Sequence, residues 1–177
     1  IELPPGRSPG PPVAERGALV LVFEQNARPY GKIEDGLPRW HAQLRAREYQ
    51  RIDANLSAPG VLYIPRTRVG TDVTLATLRE QLSIGTVILA TGAWRDRPLP
   101  LADVERFVGR GLWYQNALVH WFNHYEEPGY DGPCYEPPDG AIVVGGGLAS
   151  LDVVKILMLE TVARDLAARG HGIGLYD

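Results

Sequence analysis

Cys134 is the only cysteine among 177 residues. A lone thiol can form no internal disulfide and supplies no C-x-x-C redox pair, so a reducing, cytoplasmic setting is expected. No apolar run approaches the ~20 residues needed to cross a bilayer. Charge of one sign is also scarce. The net charge is −3 and the pI about 5.8, which favours neither nucleic acid nor an anionic membrane surface as a partner. No G-x-S-x-G elbow surrounds Ser8, Ser57, Ser83 or Ser150, so a hydrolase triad is unsupported. The histidines at 41, 120, 124 and 171 are scattered. His120 and His124 lie four apart, as two ligands on a helix would, but Trp-Phe-Asn separates them and there is no H-E-x-x-H. No metal site is expected.

Hydrophobic residues make up 45% and charged residues 22%, the balance of an ordinary globular chain. Residues 1–12 hold five prolines and two glycines and no apolar core. They suit neither a helix, a central strand nor a signal peptide, and are expected to lie outside any fold. Val13–Arg16 could be the last turn of a helix stopped by Gly17. Ala18–Phe23 is a continuous β-prone run suited to a strand buried on both faces, with Glu24 at its carboxyl end. Residues 28–38, punctuated by Pro29, Gly31, Gly36 and Pro38, read as a loop.

A helix is expected over 39–56, where Trp40, Leu44, Ile52 and Leu56 recur at multiples of four. Its arginines at 39, 45, 47 and 51 are better explained as a solvated face than as a nucleic-acid stripe. A strand over 60–68 and a short helix over 74–82 follow. A second apolar strand, Thr86–Ala90, ends in Thr91-Gly92. Residues 93–139 form a long proline-rich connection with one helix near Gln115–His124. The aromatics Trp113, Tyr114, Trp121, Phe122 and Tyr125 cluster there and are expected to pack in a core.

The clearest pattern comes last. The strand Ala141–Val144 runs into Gly145-Gly146-Gly147-Leu148-Ala149-Ser150, and a helix follows as far as Arg169. Strand, tight glycine turn and helix together let backbone N–H groups at a helix start hold a dinucleotide pyrophosphate. Gly145 permits the sharp turn, Gly147 permits backbone to approach phosphate oxygens, and Ser150 stands at the third small position. In the helix, Leu151, Val154, Met158, Val162 and Leu166 are expected to form the core face. Asp152 suits the positive end of the helix dipole, or else pairs with a basic residue. Residues 172–176 could begin a further strand, and Asp177 could be a ribose-binding acid at its end.

Four segments occur in order: Leu21-Val22-Phe23-Glu24, Pro29-Tyr30-Gly31-Lys32-Ile33, Ala90-Thr91-Gly92, and Gly145–Ser150 leading into Leu151-Asp152-Val153-Val154. In this the chain resembles the FAD-dependent pyridine nucleotide oxidoreductases, especially the adrenodoxin-type ferredoxin–NADP reductases and the small subunit of glutamate synthase. The resemblance spans about residues 13–175. It implies an α/β, Rossmann-like FAD/NAD(P)-binding fold, in which parallel sheets are flanked by helices and an FAD-binding domain is interrupted by an NAD(P)H-binding domain.

On that resemblance Glu24 would meet the FAD ribose, and Gly31 and Ile33 would lie toward the flavin. Val69 would approach the adenine through its backbone, and Ala90, Thr91 and Gly92 would pass beside the FAD. Gly145, Gly146, Gly147, Leu148, Ala149 and Ser150 would cradle the NAD(P)H pyrophosphate. The reaction implied is hydride transfer to flavin and onward electron transfer to an acceptor, for which an electron-acceptor protein is one candidate, with no side chain required as acid or base. The family's first strand and glycine turn should precede Val13, where proline-rich sequence stands. The expectation is therefore a fragment: a partial FAD-binding domain over 13–100, a connection over 101–139 and the start of an NAD(P)H-binding domain over 140–177. The competing expectation is a non-catalytic nucleotide-binding module, or an inactive remnant of a flavoenzyme.

Overall fold

A computed structural model describes residues 17–172. The readings for 1–12, 13–16, 173–176 and Asp177 lie outside the described residues. The chain divides into two compact units. One runs to Ile33 and resumes over Ala42–Ala90, and the other takes Glu34–His41 and everything from Thr91 onward.

The first unit is built on a β–α–β arrangement. Strand β1, Val20–Phe23, and strand β2, Val61–Ile64, pair in parallel with Val20 opposite Val61 and Phe23 opposite Ile64. Parallel neighbours need a crossover, and helix α2, Ala42–Leu56, lies within it. Leu44, Glu48, Tyr49, Ile52 and Leu56 form the half-buried stripe of α2, at the three- and four-residue spacing that keeps side chains on one helix face. The helix begins at Ala42 rather than at residue 39, and Trp40 belongs to the other unit. A four-residue helix, α1 (Lys32–Asp35), lies inside the expected loop. The expected short helix over 74–82 exists as a π-helical turn, Thr77–Gln81, whose Thr77 N–H donates to the Thr74 hydroxyl at 3.0 Å.

The second unit is organised by two helices, α3 (Gln115–His124) and α4 (Leu148–Ala168). Leu118, Val119, Trp121 and Phe122 of α3 pack with Val153 and Ile156 of α4 as one buried cluster, joined at its margin by Trp40, Tyr125, Tyr130, Tyr135, Val143, Leu157 and Leu159. Helix α3 falls where its sequence placed it, and its aromatics are core residues as expected.

Four expectations need correction. Strand β1 is half-buried along its length, with Leu19 before it exposed, rather than buried on both faces. Thr86–Ala90 and Ala141–Val144 are not strands: the described residues hold one two-stranded sheet, β1 with β2. A strand is defined by its ladder partner, and neither run has one among the described residues. Ile88 is 83% exposed and Ile142 90%. The core face of α4 is also not the one expected. Val153 and Ile156 are buried, whereas Leu151, Val154, Met158 and Val162 are exposed. Apolar residues surround this helix, so composition could not say which stripe faces inward. What the described residues show is a mixed α/β chain with a small parallel sheet. None of their helices is long and apolar enough to cross a membrane.

Candidate functional site

In the first unit the carboxyl ends of β1 and β2 are tied together. Glu24 follows β1, and its N–H donates to the Ile64 carbonyl at 3.0 Å while its own carbonyl accepts the Thr67 N–H at 2.9 Å. The Arg66 N–H donates to the Asn26 carbonyl, and Arg68 Nε donates to Gln25 Oε1 at 3.0 Å. Two loops 40 residues apart in sequence thus form one rim. Ligands on open α/β sheets bind at this carboxyl edge. The Glu24 carboxylate accepts the Asn26 N–H at 2.8 Å through Oε1, and a carboxylate has lone pairs for further donors. Val69 stands on the same rim. Its neighbours are fixed by Arg68 N–H on Asp72 Oδ2 (2.7 Å) and Gly70 N–H on the Val73 carbonyl (2.7 Å).

Gly31 has φ of +47°, a left-handed turn that leads into α1, where the Ile33 N–H donates to the Tyr30 carbonyl. Tyr30 itself drew no separate role from sequence, yet it organises this corner. Its ring stacks on Tyr49 with centroids 3.9 Å apart, the Arg28 guanidinium lies 5.0 Å from its centroid, and its hydroxyl donates to Asp53 at 3.1 and 3.2 Å. Burial first, then the Asp53 hydrogen bond, pushes the phenol above its ordinary pKa and keeps it a donor. Residues 23 apart make this contact, so no local motif announced it.

The segment Ala90-Thr91-Gly92 straddles the boundary between the units and is exposed. Gly92 has φ of +72°, and a Cβ there would stand 3.6 Å from Trp94 Nε1. A shallow depression lined by Leu75, Ala76, Arg79 and Glu80 contains none of the sequence-derived site residues.

In the second unit the glycine turn leads into α4. Gly145 has φ of +151°, a conformation that residues bearing a side chain rarely adopt, and a Cβ there would stand 3.4 Å from the Ser150 Cβ. Gly146 and Gly147 face open space. Gly147 caps the helix with extended backbone and no side-chain hydrogen bond, so the first-turn N–H groups of this 21-residue helix have no side-chain cap. Gly145, Gly146, Gly147, Leu148 and Ala149 are all exposed. Ser150 turns its N–H and its hydroxyl back to the Gly147 carbonyl, at 3.0 and 2.5 Å, which tightens the bend. These features fit a pyrophosphate: open backbone, N–H donors and the positive end of a long helix dipole.

Asp152 has a basic partner. His41 Nε2 lies 3.0 Å from its Oδ1, and beside it Lys155 Nζ sits 4.3 Å from the Trp40 ring centroid. The arginines expected on a solvated face are engaged. Arg39 pairs with Glu126 at 2.9 Å and donates to the Phe122 carbonyl, Arg51 pairs with Glu48 at 2.6 Å, and Arg45 donates to the Tyr49 hydroxyl.

No family model matches the chain, and no solved structure matches it significantly. Curated proteins do. It is 29% identical over 144 residues to cindoxin reductase of Citrobacter braakii, covering 79% of this chain and 29% of the relative. It is 25% identical over 150 residues to the mitochondrial NADPH:adrenodoxin oxidoreductase of Arabidopsis thaliana, covering 84% and 29%. It is 28% identical over 174 residues to the glutamate synthase (NADPH) small chain of Bacillus subtilis, covering 97% and 33%. The chain therefore spans about a third or less of the length of these relatives. Its motifs and its relatives agree: the chain is related to the pyridine nucleotide oxidoreductases of the adrenodoxin reductase and glutamate synthase small-chain kind.

Proposed function

We propose that this chain is the dinucleotide-binding part of an FAD- and NAD(P)H-dependent oxidoreductase with a Rossmann-like fold. Hydride passes from the nicotinamide to the flavin, and electrons pass on to an acceptor protein. One observation carries the reading. The Gly145–Ser150 turn presents an uncapped, exposed helix start, with open space where side chains would otherwise block an anion. The rim formed by Glu24 and the Arg66–Val69 loop supports the FAD half of the reading, because it supplies an acid and backbone groups at a sheet's carboxyl edge. One relative is an NADPH:adrenodoxin oxidoreductase and another a cindoxin reductase, which favours a redox protein as acceptor.

Flavin, when bound, supplies the hydride-accepting chemistry. The residues of this chain bind and orient. Backbone N–H groups of 147–149 hold phosphate oxygens, while the Ser150 N–H stays on the Gly147 carbonyl, and Glu24 accepts from ribose hydroxyls. Added NADPH is expected to raise the thermal unfolding midpoint of the chain, and Gly147→Asp to abolish the rise by setting a carboxylate where the pyrophosphate belongs. A rise that survives Gly147→Asp rules out phosphate binding at this turn.

A further inference from the structure

We propose that Asp35, His120 and His124 form a binding site for a divalent transition metal of the zinc type, independent of the nucleotide sites. His120 and His124 are one helical turn apart on α3, with ring centroids 4.6 Å apart. Asp35 comes from the end of α1, 89 positions before His124, and its Oδ1 lies 3.1 Å from His124 Nε2. One ligand atom from each of the three residues lies within 4.8 Å of the others. Ligands on a tetrahedral zinc with ~2.0–2.1 Å bonds stand about 3.3 Å apart, so the site must contract. His120 is the exposed member and can swing in, while Asp35 and His124 are half-buried and already in place. Two histidines, one carboxylate and a water complete four-coordination.

The surroundings of His124 strengthen the assignment. Its other ring nitrogen, Nδ1, lies 3.0 Å from Glu127 Oε1. A metal-binding histidine characteristically donates its remote N–H to a carboxylate, which fixes the tautomer and strengthens the bound nitrogen as a ligand. In the metal-bound form Glu127 would take the Nδ1–H, leaving Nε2 to the metal between Asp35 and His120. On binding, any proton on Nε2 leaves to solvent, and the metal replaces it between His124 and the Asp35 carboxylate. Trp121, Phe122 and Asn123, which separate the two histidines in sequence, are buried on the inner side of α3 and hold the helix face in register. Sequence spacing alone gave two ligands and no third. The fold supplies the third from a distant segment of the same compact unit.

The metal pins the segment at Asp35 to α3, so binding should appear as stability. The whole 177-residue chain, freed of metal with EDTA, is titrated with zinc ions alone. At a free-metal concentration about a hundred times the dissociation constant, the unfolding midpoint is expected to rise by about 5–10 °C and to fall back on adding EDTA. Cobalt ions used as a probe should give the visible absorption of a tetrahedral nitrogen–oxygen site. His120→Ala, a change at an exposed side chain, should abolish both signals while the metal-free chain unfolds as before. Glu127→Gln should weaken binding about tenfold to a hundredfold without abolishing it. No rise with zinc, or a rise unchanged in His120→Ala because Cys134 or another histidine holds the ion, overturns the proposal.

Discussion

Single residues here were legible when their role is set by backbone geometry and hidden when it is set by a distant partner. The glycines are the legible case. Gly145 has φ of +151°, in keeping with the sharp turn that the G-G-G-L-A-S pattern implies, and Gly147 sits at the extended cap of α4. Gly147→Asp is informative because φ of −90° and ψ of 174° suit aspartate, a good N-cap residue. The variant should therefore be a few tenths of a kcal/mol more stable than the parent while losing NADPH, which separates site loss from misfolding. Asn123 is the hidden case. It is buried on α3, and its Nδ2 donates to the carbonyls of Glu34 at 2.9 Å and Leu37 at 3.1 Å, while its Oδ1 has no hydrogen-bond partner. Removing the amide takes one hydrogen bond from each of two backbone carbonyls, at a cost of about 1 kcal/mol for each bond lost. Asn123→Asp should cost more than Asn123→Ala, because it aims a carboxylate at two carbonyl oxygens. Urea unfolding midpoints in the order parent, Ala, Asp are the expected result.

At the scale of elements, periodicity located helices well and strands poorly. Helix α3 was legible because its apolar cluster has a polar surround. Helix α4 is legible as a helix, but its inner face is not, since apolar residues encircle it and only packing picks Val153 and Ile156. The runs at 86–90 and 141–144 have strand composition without ladder partners among the described residues, and composition cannot report a partner. A polar residue on the inner side of α4 also gives a pH dependence. Burial, foremost, and then the Glu126 charge push the Glu160 carboxyl above its ordinary value of 4.5, against the Tyr125 hydrogen bond and the charges of Arg164 and Arg39. The folded state then holds a proton that the unfolded chain has released. Glu160 therefore contributes stability below pH 4.5, and that contribution is lost as pH rises through the elevated folded value. Glu160→Gln should unfold at a higher temperature than the parent at neutral pH, with the difference shrinking toward pH 4. Melting curves across that range test it, and a constant difference would count against the burial of the charge.

For the molecule as a whole, the order of four motifs made the relationship readable before any coordinates, while the extent of packing was not. Leu151 is 66% exposed and Met158 64%, with Val154 and Val162 beside them along one side of α4. Apolar surface of this kind marks contact with another surface or a tendency to associate. The parent chain should show an apparent mass above 19.5 kDa that grows with concentration in light scattering, and Leu151→Lys combined with Met158→Lys should bring it down. An invariant monomer mass for the parent would show that this stripe is inert.

The path of the backbone has a practical consequence. Residues 34–41 interrupt the first unit in sequence yet belong to the second, where Trp40 packs on Phe122 and His41 meets Asp152. The polypeptide passes from one body to the other at 33/34, returns at 41/42 and leaves again at 90/91. No single scission can separate the halves intact. A protease nick after Ala90 leaves an eight-residue peptide of the downstream half still tethered to the upstream piece, so the cleaved chain should stay together on a sizing column until denaturant is added.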